Sequence, residues 1–235
     1  AKLNYIVIGG YAASTCKHRF SVDADIVIQP EDTEKFEKIL AKEKFKKTRE
    51  RELENVYSSK FIRYEKDTAS IDLLINGVAA RATNGSFSYK LLLDNSQKRK
   101  IIGIQKEVSA LVPNKEVLIV MKVHSGRLTD FRDIAALAKN SDVEKIRKLL
   151  FVGNLKNLKE NMRNLEKAVK DKNFVDSFKG VFIEKKFDVD INQVEKIAKL
   201  KLIELSKQLN EKHWQQAPKL FNTQIFNEHQ DGPIE

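Results

Sequence analysis

Three aspartates offer oxygen ligands of the kind that a divalent cation requires. Asp23 and Asp25 lie two positions apart in the segment RFSVDADIVI, whose alternation predicts a strand with both carboxylates on one face. Asp72 lies within the apolar run SIDLLI, where an ionised carboxylate costs several kcal/mol unless it is paired or metal-bound. Three carboxylates on neighbouring strands repel one another without a cation, so the pattern favours a metal site.

Two considerations limit what the aspartates indicate by themselves. An Asp-x-Asp pair is expected by chance in a chain of this length, and a second pair occurs at Asp188 and Asp190. We interpret the second pair as structural, with Asp190 capping a helix and Gln193 completing a capping box. The alternative for Asp72 is an ion pair with Arg19 or another base, which would also compensate its burial.

A pair of glycines precedes the aspartates in the chain. Gly9 and Gly10 follow an apolar run that predicts a short strand at 3–8, and a short helix can form at 11–18. Glycines at such a turn let the backbone approach a phosphate, and a helix N-terminus offers unpaired N–H donors. Gly-Gly alone most often marks only a turn. Its place between a strand, a helix and the Asp-x-Asp strand predicts a phosphate site.

The elements that must position these residues form a mixed first half. Strands are predicted at 3–8, 19–28, 56–64 and 69–75, and helices at 11–18 and 31–44. In the predicted strand at 19–28, successive side chains point to opposite faces. One face holds Arg19, Ser21, Asp23 and Asp25, and the other holds Phe20, Val22, Ala24 and Ile26.

After about residue 112 the apolar spacing becomes helical. Helices are predicted to begin near Pro113, Asp130, Asp142, Leu155 and Ile191, and the last reaches Leu202, Leu205 and Leu209. The residues from His213 onward predict a peripheral tail. We therefore predict an α/β (α+β) fold, with a small mixed β-sheet core over 1–112 and an all-helical domain over 113–235. The site is expected in the cleft between them.

The composition excludes several classes of protein. The 235 residues are 41% hydrophobic and 32% charged, with a formal net charge of +10 and one cysteine. A lone Cys16 excludes an internal disulfide framework and a cysteine-based zinc site, and predicts a cytoplasmic protein with Cys16 as a small core residue. No apolar stretch approaches the roughly 18 residues that span a bilayer, so no membrane partner is expected. The positive charge suits an anionic partner, although lysines interleaved with glutamates account for much of it.

Two blocks of the sequence resemble a known superfamily. The segment IVIGGYAASTCKHRFSVDADIVI is similar to the signature of the polymerase-β-type nucleotidyltransferases, with Asp72 as the later third carboxylate. The form Arg19-x-Ser21-x-Asp23-x-Asp25 resembles the branch that contains the AbiEii-type abortive-infection toxins. Residues 111–137 resemble that branch's second block, which is a Pro-led helix with a central Lys, then Arg, then Asp-x-x-Asp-Ile. Those positions are Lys122, Arg127, Asp130, Asp133 and Ile134.

The resemblance implies a role for each candidate residue. The metal ligands would be Asp23, Asp25 and Asp72, which would hold two Mg²⁺ ions, or Mn²⁺ in their place. The glycine turn at Gly9 and Gly10 would grip a nucleoside triphosphate, and Lys122 would reach its phosphates. Asp130 would orient the acceptor or act as a base, and Arg19 and Ser21 would orient phosphate or the carboxylates. The alternative for Lys122 and Asp130 is a helix-surface ion pair with Asp133 or Arg127.

The activity that the resemblance implies is transfer of a nucleoside monophosphate from a triphosphate to a hydroxyl. The branch implies an RNA, tRNA or protein acceptor and a role as the toxin of a toxin–antitoxin or phage-defence system, with an antitoxin partner. A small-molecule, aminoglycoside-like acceptor is the first alternative. A non-catalytic nucleotide-binding module on the same fold is the second alternative, and a structural subunit is the third.

Overall fold

The computed structural model describes residues 3–19, 21–103, 106–178, 181–182 and 189–200. These residues belong to one compact unit that ends at Leu200. The predicted tail from His213 lies outside the described residues, as do the Asp188 of the second aspartate pair and the positions beyond Leu200 of the last helix.

A mixed sheet of seven strands forms the core of the first half. In chain order its strands are β1 (Ile6–Ile8), β2 (Asp23–Ile28), β3 (Lys46–Glu52), β4 (Lys60–Lys66), β5 (Ala69–Ile75), β8 (Ser96–Ile102) and β9 (Glu107–Pro113). The spatial order is β3-β4-β5-β2-β1-β9-β8, with β2–β5 and β1–β9 parallel and the other pairs antiparallel. A separate hairpin pairs β6 (Gly77–Ala79) with β7 (Ser86–Ser88).

Helices dominate the chain after β9. The helices are α1 (Gly9–Ser14), α2 (Thr33–Lys42), α3 (Tyr89–Asp94), α4 (Lys115–Ser125), α5 (Leu128–Ala138), α6 (Val143–Leu150), α7 (Leu155–Lys170) and α8 (Ile191–Ala198), with 3₁₀ turns at Pro30–Asp32 and Asp176–Phe178. The predicted α/β class with a helical second half is confirmed. Within the described residues, no helix combines the length and the apolar character needed to cross a membrane.

One face of the sheet is closed by α2. Phe36 and Leu40 of α2 pack with buried residues of β2, β4 and β5, and the buried members of this cluster are Ile28, Phe36, Leu40, Ile62, Tyr64, Leu73 and Ile75. Because side chains alternate along a strand, the intervening positions of these strands project from the opposite face. That opposite face carries the predicted aspartates.

The central helix of the second half is α4. It contacts α5, α6 and α7, and its residues Val117, Leu118, Ile119 and Val120 are each at most 1% exposed. A helix buried on all sides is apolar around most of its circumference. Lys122 is a buried charged side chain within it, and α5 compensates its charge.

Three predicted strands are shorter in the structure, and the first of them, predicted at 3–8, is β1 over Ile6–Ile8. The segment predicted as a strand at 19–28 is extended from Asp23, and Val22, assigned to its apolar face, is 67% exposed. The ladder of β2 with β5 begins at Asp23 and its ladder with β1 at Asp25, so Ser21 and Val22 pair with neither strand. Likewise, β4 begins at Lys60, and Val56 is 82% exposed.

The sequence analysis missed β3, β8 and β9. All of β3 is exposed, and its sequence KKTRERE has no apolar face, so hydrophobic alternation gives no signal there. The edge strand β8 begins with the equally polar SQKRK. Pairing with a neighbouring strand, rather than burial of an apolar face, forms β3, whereas β8 buries Ile101 and β9 buries Ala110 and Val112.

The residues that cap the helices mostly follow the predictions. Asp142 accepts hydrogen bonds from the N–H groups of Glu144 and Lys145, and Asp190 accepts one from Gln193. Only the first half of the capping box predicted at Asp190 is observed, and Nε2 of Gln193 donates to the carbonyl of Ser141.

His124 is fully buried. Its Nδ1 lies 2.6 Å from the Thr83 hydroxyl and its Nε2 lies 2.8 Å from the carbonyl oxygen of Leu150. Burial lowers the pKa of this imidazole, so it is neutral at pH 7. Cys16 differs from its prediction, because it is exposed and follows the end of α1, where the chain leaves the core.

Candidate active site

Asp25 and Asp72 are direct neighbours on adjacent parallel strands. The register of β2 and β5 pairs Asp23 with Ser70 and Asp25 with Asp72. Register partners project from the same face of a sheet, so both carboxylates point away from α2. Asp25 is half-buried and Asp72 is 6% exposed. The two aspartates that the sequence analysis combined are therefore brought together by the sheet.

Asp23 lies on the same face, at the exposed start of β2. Its Oδ1 accepts a hydrogen bond from the hydroxyl of Ser70, its register partner. The hydroxyl of Ser21 donates to the backbone carbonyl of Asp23 at 3.2 Å. Ser21 thus supports the backbone at the start of β2.

Asp72 has a basic partner that the sequence analysis did not name. Arg63 is its register neighbour on β4, and the guanidinium donates from Nε to Oδ1 and from Nη2 to Oδ2, each at 2.7 Å. The pKa of Arg63 is raised by these hydrogen bonds. The alternating pattern of KFIRYEK, in which Ile62 and Tyr64 are buried, was the signal that Arg63 faces the other side.

A second group of charges lies beneath the same face, on α4 and α5. The Lys122 ammonium forms ion pairs with Asp130 and Asp133, each at 2.8 Å. Arg127 donates from Nε to Asp130 at 2.8 Å, and Arg19 pairs with Asp133. Both aspartates are at most 1% exposed. The Arg19 that the sequence analysis considered for Asp72 therefore compensates a different carboxylate.

The pKa values of this group follow from its ion pairs. Burial alone would raise the pKa of Asp130, but its contacts with Arg127 and Lys122 outweigh burial and lower it to about 2. Burial would likewise lower the pKa of Lys122, but Asp133 and Asp130 raise it. Asp130 is therefore a weak base at pH 7, and its contacts favour the orienting role over the base role that the resemblance implied.

The pKa of Asp25 is shifted in the opposite direction to that of Asp130. Its pKa is raised to about 6, first by burial and next by the charge of Asp72, while Lys122 lowers it. Within the described residues no side chain donates a hydrogen bond to its carboxylate. A bound cation would offset both the burial and the repulsion from Asp72.

A cleft of about 940 Å³ separates this face of the sheet from α4 and α5. Of the predicted site residues, it is lined by Gly9, Asp25, Asp72, Lys122 and Asp130. The structure leaves Gly10, Arg19, Ser21 and Asp23 outside its lining. The expected position of the cleft, between the sheet and the helices that follow it, agrees with the structure.

Gly9 and Gly10 begin α1 directly after β1. Gly9 has a φ of +67°, and a Cβ there would overlap Oδ2 of Asp25; a Cβ at Gly10 would overlap the hydroxyl of Ser21. The absence of side chains thus lets the start of α1 approach the polar end of β2. The sequence analysis assigned Gly9 and Gly10 to a phosphate contact. The approach of Gly9 to the Asp25 carboxylate is a second reason why a side chain cannot be placed there.

The fit to a divalent cation depends on Asp25 and Asp72. Among the described residues, no three His, Cys, Asp or Glu side chains are grouped closely enough to hold a metal ion. Asp72 turns toward Arg63 and Asp23 toward Ser70. A carboxylate has about four lone-pair sites, so Asp72 keeps acceptor capacity beside Arg63. The uncompensated charge of Asp25 next to Asp72 fits a cation.

Comparisons with known proteins identify no family. No family model matches the chain, and no curated protein is similar to it. It is similar to a solution structure of the antibiotic-resistance factor ANT(2'')-Ia, with a TM-score of 0.45 and 14% identity, over 63% of this chain and 80% of that one. It is also similar to a crystal structure of ANT(2'')-Ia in complex with adenylyl-2''-tobramycin, with a TM-score of 0.45 and 13% identity, over 63% and 85%.

Replacing Gly9 tests the close approach of α1 to Asp25. We expect Gly9→Ala to lower the free energy of unfolding by about 1–3 kcal/mol, because alanine is strained at positive φ and its Cβ overlaps the carboxylate. Urea unfolding measures this change. Gly103→Ala is the matched control, since Gly103 has no positive φ and its added Cβ would meet, among the described residues, only the Lys106 carbonyl at 3.0 Å. An equal loss in both variants would contradict the constraint.

The depressed pKa of Asp130 predicts a pH-dependent contribution to stability. The contribution is fully present above the ordinary value of 3.8 and is lost as pH falls toward about 2. Asp130→Asn should therefore cost about 2 kcal/mol in urea unfolding at pH 7 and less at pH 3. Asp94→Asn, which removes an exposed partner of Lys90, should cost less than about 1 kcal/mol. Equal costs at pH 7 would contradict the prediction.

Proposed function

We propose that this chain is a Mg²⁺-dependent nucleotidyltransferase that moves a nucleoside monophosphate from a triphosphate to a hydroxyl. The observation that carries the proposal is the pairing of Asp25 with Asp72 at a cleft whose other wall holds Lys122. Two adjacent carboxylates and an opposing ammonium supply the charges that phosphoryl chemistry needs. The two sequence blocks that resemble the polymerase-β-type nucleotidyltransferases meet at this cleft.

The proposed reaction exchanges one bond at the α-phosphorus. The oxygen of the acceptor hydroxyl forms a bond to phosphorus, the bond to the bridging oxygen breaks, and pyrophosphate leaves with that electron pair. The hydroxyl proton passes to water. The product is a phosphodiester or a nucleotidyl ester of the acceptor.

The candidate residues would have different roles according to their places in the cleft. Asp25 and Asp72, with Asp23 at the rim, would hold Mg²⁺ or Mn²⁺, which neutralises charge on the attacking and leaving oxygens when bound. Lys122 contributes a positive charge toward the phosphates, and Asp130 and Asp133 hold it in place. The N-terminus of α1 at Gly9 offers backbone donors beside Asp25.

The charge of the cleft bears on the acceptor. Five arginines line it, namely Arg49, Arg51, Arg63, Arg81 and Arg127. Arg63 and Arg127 pair with aspartates, whereas no carboxylate of the described residues pairs with Arg49, Arg51 or Arg81. Arg49 is the register neighbour of Arg63 on β4, so its side chain lies on the cleft face of the sheet. We propose a phosphate-bearing acceptor, with RNA as its source.

A small-molecule acceptor is the second candidate. The solved structures to which the chain is similar include a complex with an adenylylated aminoglycoside, which fits this alternative better than an RNA or protein acceptor. An aminoglycoside carries several ammonium groups, so the arginines of the cleft would repel it. The cleft charge is therefore the reason to place RNA first.

The proposed biological role rests on the sequence blocks alone. Their similarity to the AbiEii-type branch supports a toxin of a toxin–antitoxin or phage-defence system, with an antitoxin as partner. The comparisons with known proteins do not support this role. The expected mode of toxicity is transfer of nucleoside monophosphates to cellular RNA, which the purified protein should also catalyse.

Asp25→Asn tests the proposed chemistry at its centre. Titration calorimetry with each triphosphate should show binding that depends on Mg²⁺, and the variant should weaken it at least about tenfold, a loss of about 1.4 kcal/mol. Incubation with α-labelled triphosphates and total RNA, total protein or tobramycin should label one acceptor with the native chain only. Asp94→Asn is the surface control. Binding without any labelled product would support the non-catalytic alternative, and no triphosphate affinity would support a structural subunit.

Removing two arginines tests the acceptor. Arg49→Gln with Arg51→Gln should weaken RNA labelling and lower the salt dependence of RNA binding by about two in log–log slope, because each cation contacts about one phosphate. Triphosphate affinity should stay unchanged. The control replaces exposed Arg163 and Lys167 of α7 with Gln, which removes the same charge outside the cleft. Unchanged RNA labelling, or faster labelling of tobramycin, would contradict an RNA acceptor.

A further inference from the structure

A second cavity brings four cationic side chains together outside the cleft. It measures about 510 Å³ and is lined by Lys17, Arg99, Lys115 and Lys139, together with Thr15, Cys16, Ala136, Leu137 and Asn140. The cations come from four places in the fold: the end of α1, strand β8, the start of α4 and the end of α5. Among the described residues, no aspartate or glutamate lines this cavity, and it shares no lining residue with the cleft.

Several exposed lysines of the described helices are neutralised by a carboxylate one turn away, as in Lys38–Glu34, Lys90–Asp94 and Lys170–Glu166. Neither Arg99 nor Lys115 pairs with a carboxylate of the described residues. Arg99 and Lys115 line one cavity, and an anion bound there would offset the repulsion between their charges.

Contacts inside the cavity hold its side chains in place. The Lys115 ammonium donates to the carbonyl of Lys139 at 2.6 Å, and Nη1 of Arg99 lies 3.9 Å from Sγ of Cys16. Lys17 is only 8% exposed. Lys115 is also the first residue of α4, so the positive end of that helix dipole adds to the charges of Arg99 and Lys115.

The geometry points to a phosphate-binding site in this cavity, formed by Arg99, Lys115, Lys17 and Lys139. Guanidinium groups bind phosphate oxygens in pairs, and ammonium groups contribute point charges around them. The shared chemistry is a phosphate group, carried either by free pyrophosphate or by an RNA strand. The site is independent of the proposed function, because neither its residues nor its charge depend on the cleft.

Cys16 provides a direct reporter of this site. It is the only cysteine of the chain, it is exposed, and it lines the cavity. A neutral maleimide should modify Cys16 about tenfold more slowly when pyrophosphate is present at ten times its dissociation constant, since about one site in eleven is then free. Arg99→Gln and Lys115→Gln should each raise the pyrophosphate concentration needed for half-protection at least about tenfold.

The matched control is Lys98→Gln, which removes the same charge from the adjacent, exposed position of β8 outside the cavity. This variant should keep native protection. Sodium chloride at equal ionic strength should give no protection. No saturable protection by pyrophosphate, or equal protection in the native chain and the Arg99 and Lys115 variants, would overturn the site. Half-protection by an RNA oligonucleotide below the pyrophosphate concentration identifies an RNA strand, and the reverse order identifies free phosphate.

Discussion

The juxtaposition of Asp25 and Asp72 is the constraint around which the described structure is arranged. The parallel register of β2 and β5 forces two carboxylates onto one face of the sheet, and burial raises the cost of ionising both. One of them is compensated within the chain, because Arg63 on the next strand binds both oxygens of Asp72. Asp25 has no such partner among the described residues. The fold therefore retains a charge that a cation from solution would neutralise.

The helical half supplies a rigid positive charge opposite this pair. Lys122 lies on the most buried helix, and leaving it unpaired there would cost several kcal/mol. Asp130 and Asp133 supply the compensation, and Arg127 and Arg19 compensate them in turn. Each charge in this network is fixed by at least one other. An ammonium held in this way needs little reorganisation to meet a phosphate, which is the condition for electrostatic stabilisation of a transition state.

The sequence predicted the parts of the site that follow from local pattern. Alternation placed Asp23 and Asp25 on one face, the apolar run around Asp72 predicted β5, and both are observed. The order of strands cannot be derived from alternation, so the neighbour relation of Asp25 and Asp72 became visible only with the register of the sheet. The same holds for Arg63, which no local motif connects to Asp72.

The sequence analysis missed the arginines of β3 that line the cleft, and the physical reason is different. Arg49 and Arg51 lie on β3, an edge strand with every residue exposed. Such a strand is held by backbone hydrogen bonds to β4, and these leave no trace in the hydrophobic pattern on which strand prediction depends. The charged residues that prevent the detection of β3 from hydrophobicity also line the cleft with positive charge.

The central helix α4 connects the cleft with the second cavity. Lys115 at its first position lines the cavity, and Lys122, two turns later, lines the cleft. Seven residues of helix span about 10 Å, and the surrounding core fixes α4 on all sides. A phosphate in the cavity and a triphosphate in the cleft would thus be held at a constant separation. If one RNA strand supplied both the acceptor hydroxyl and the phosphate in the cavity, it would have to pass around α4 rather than displace it.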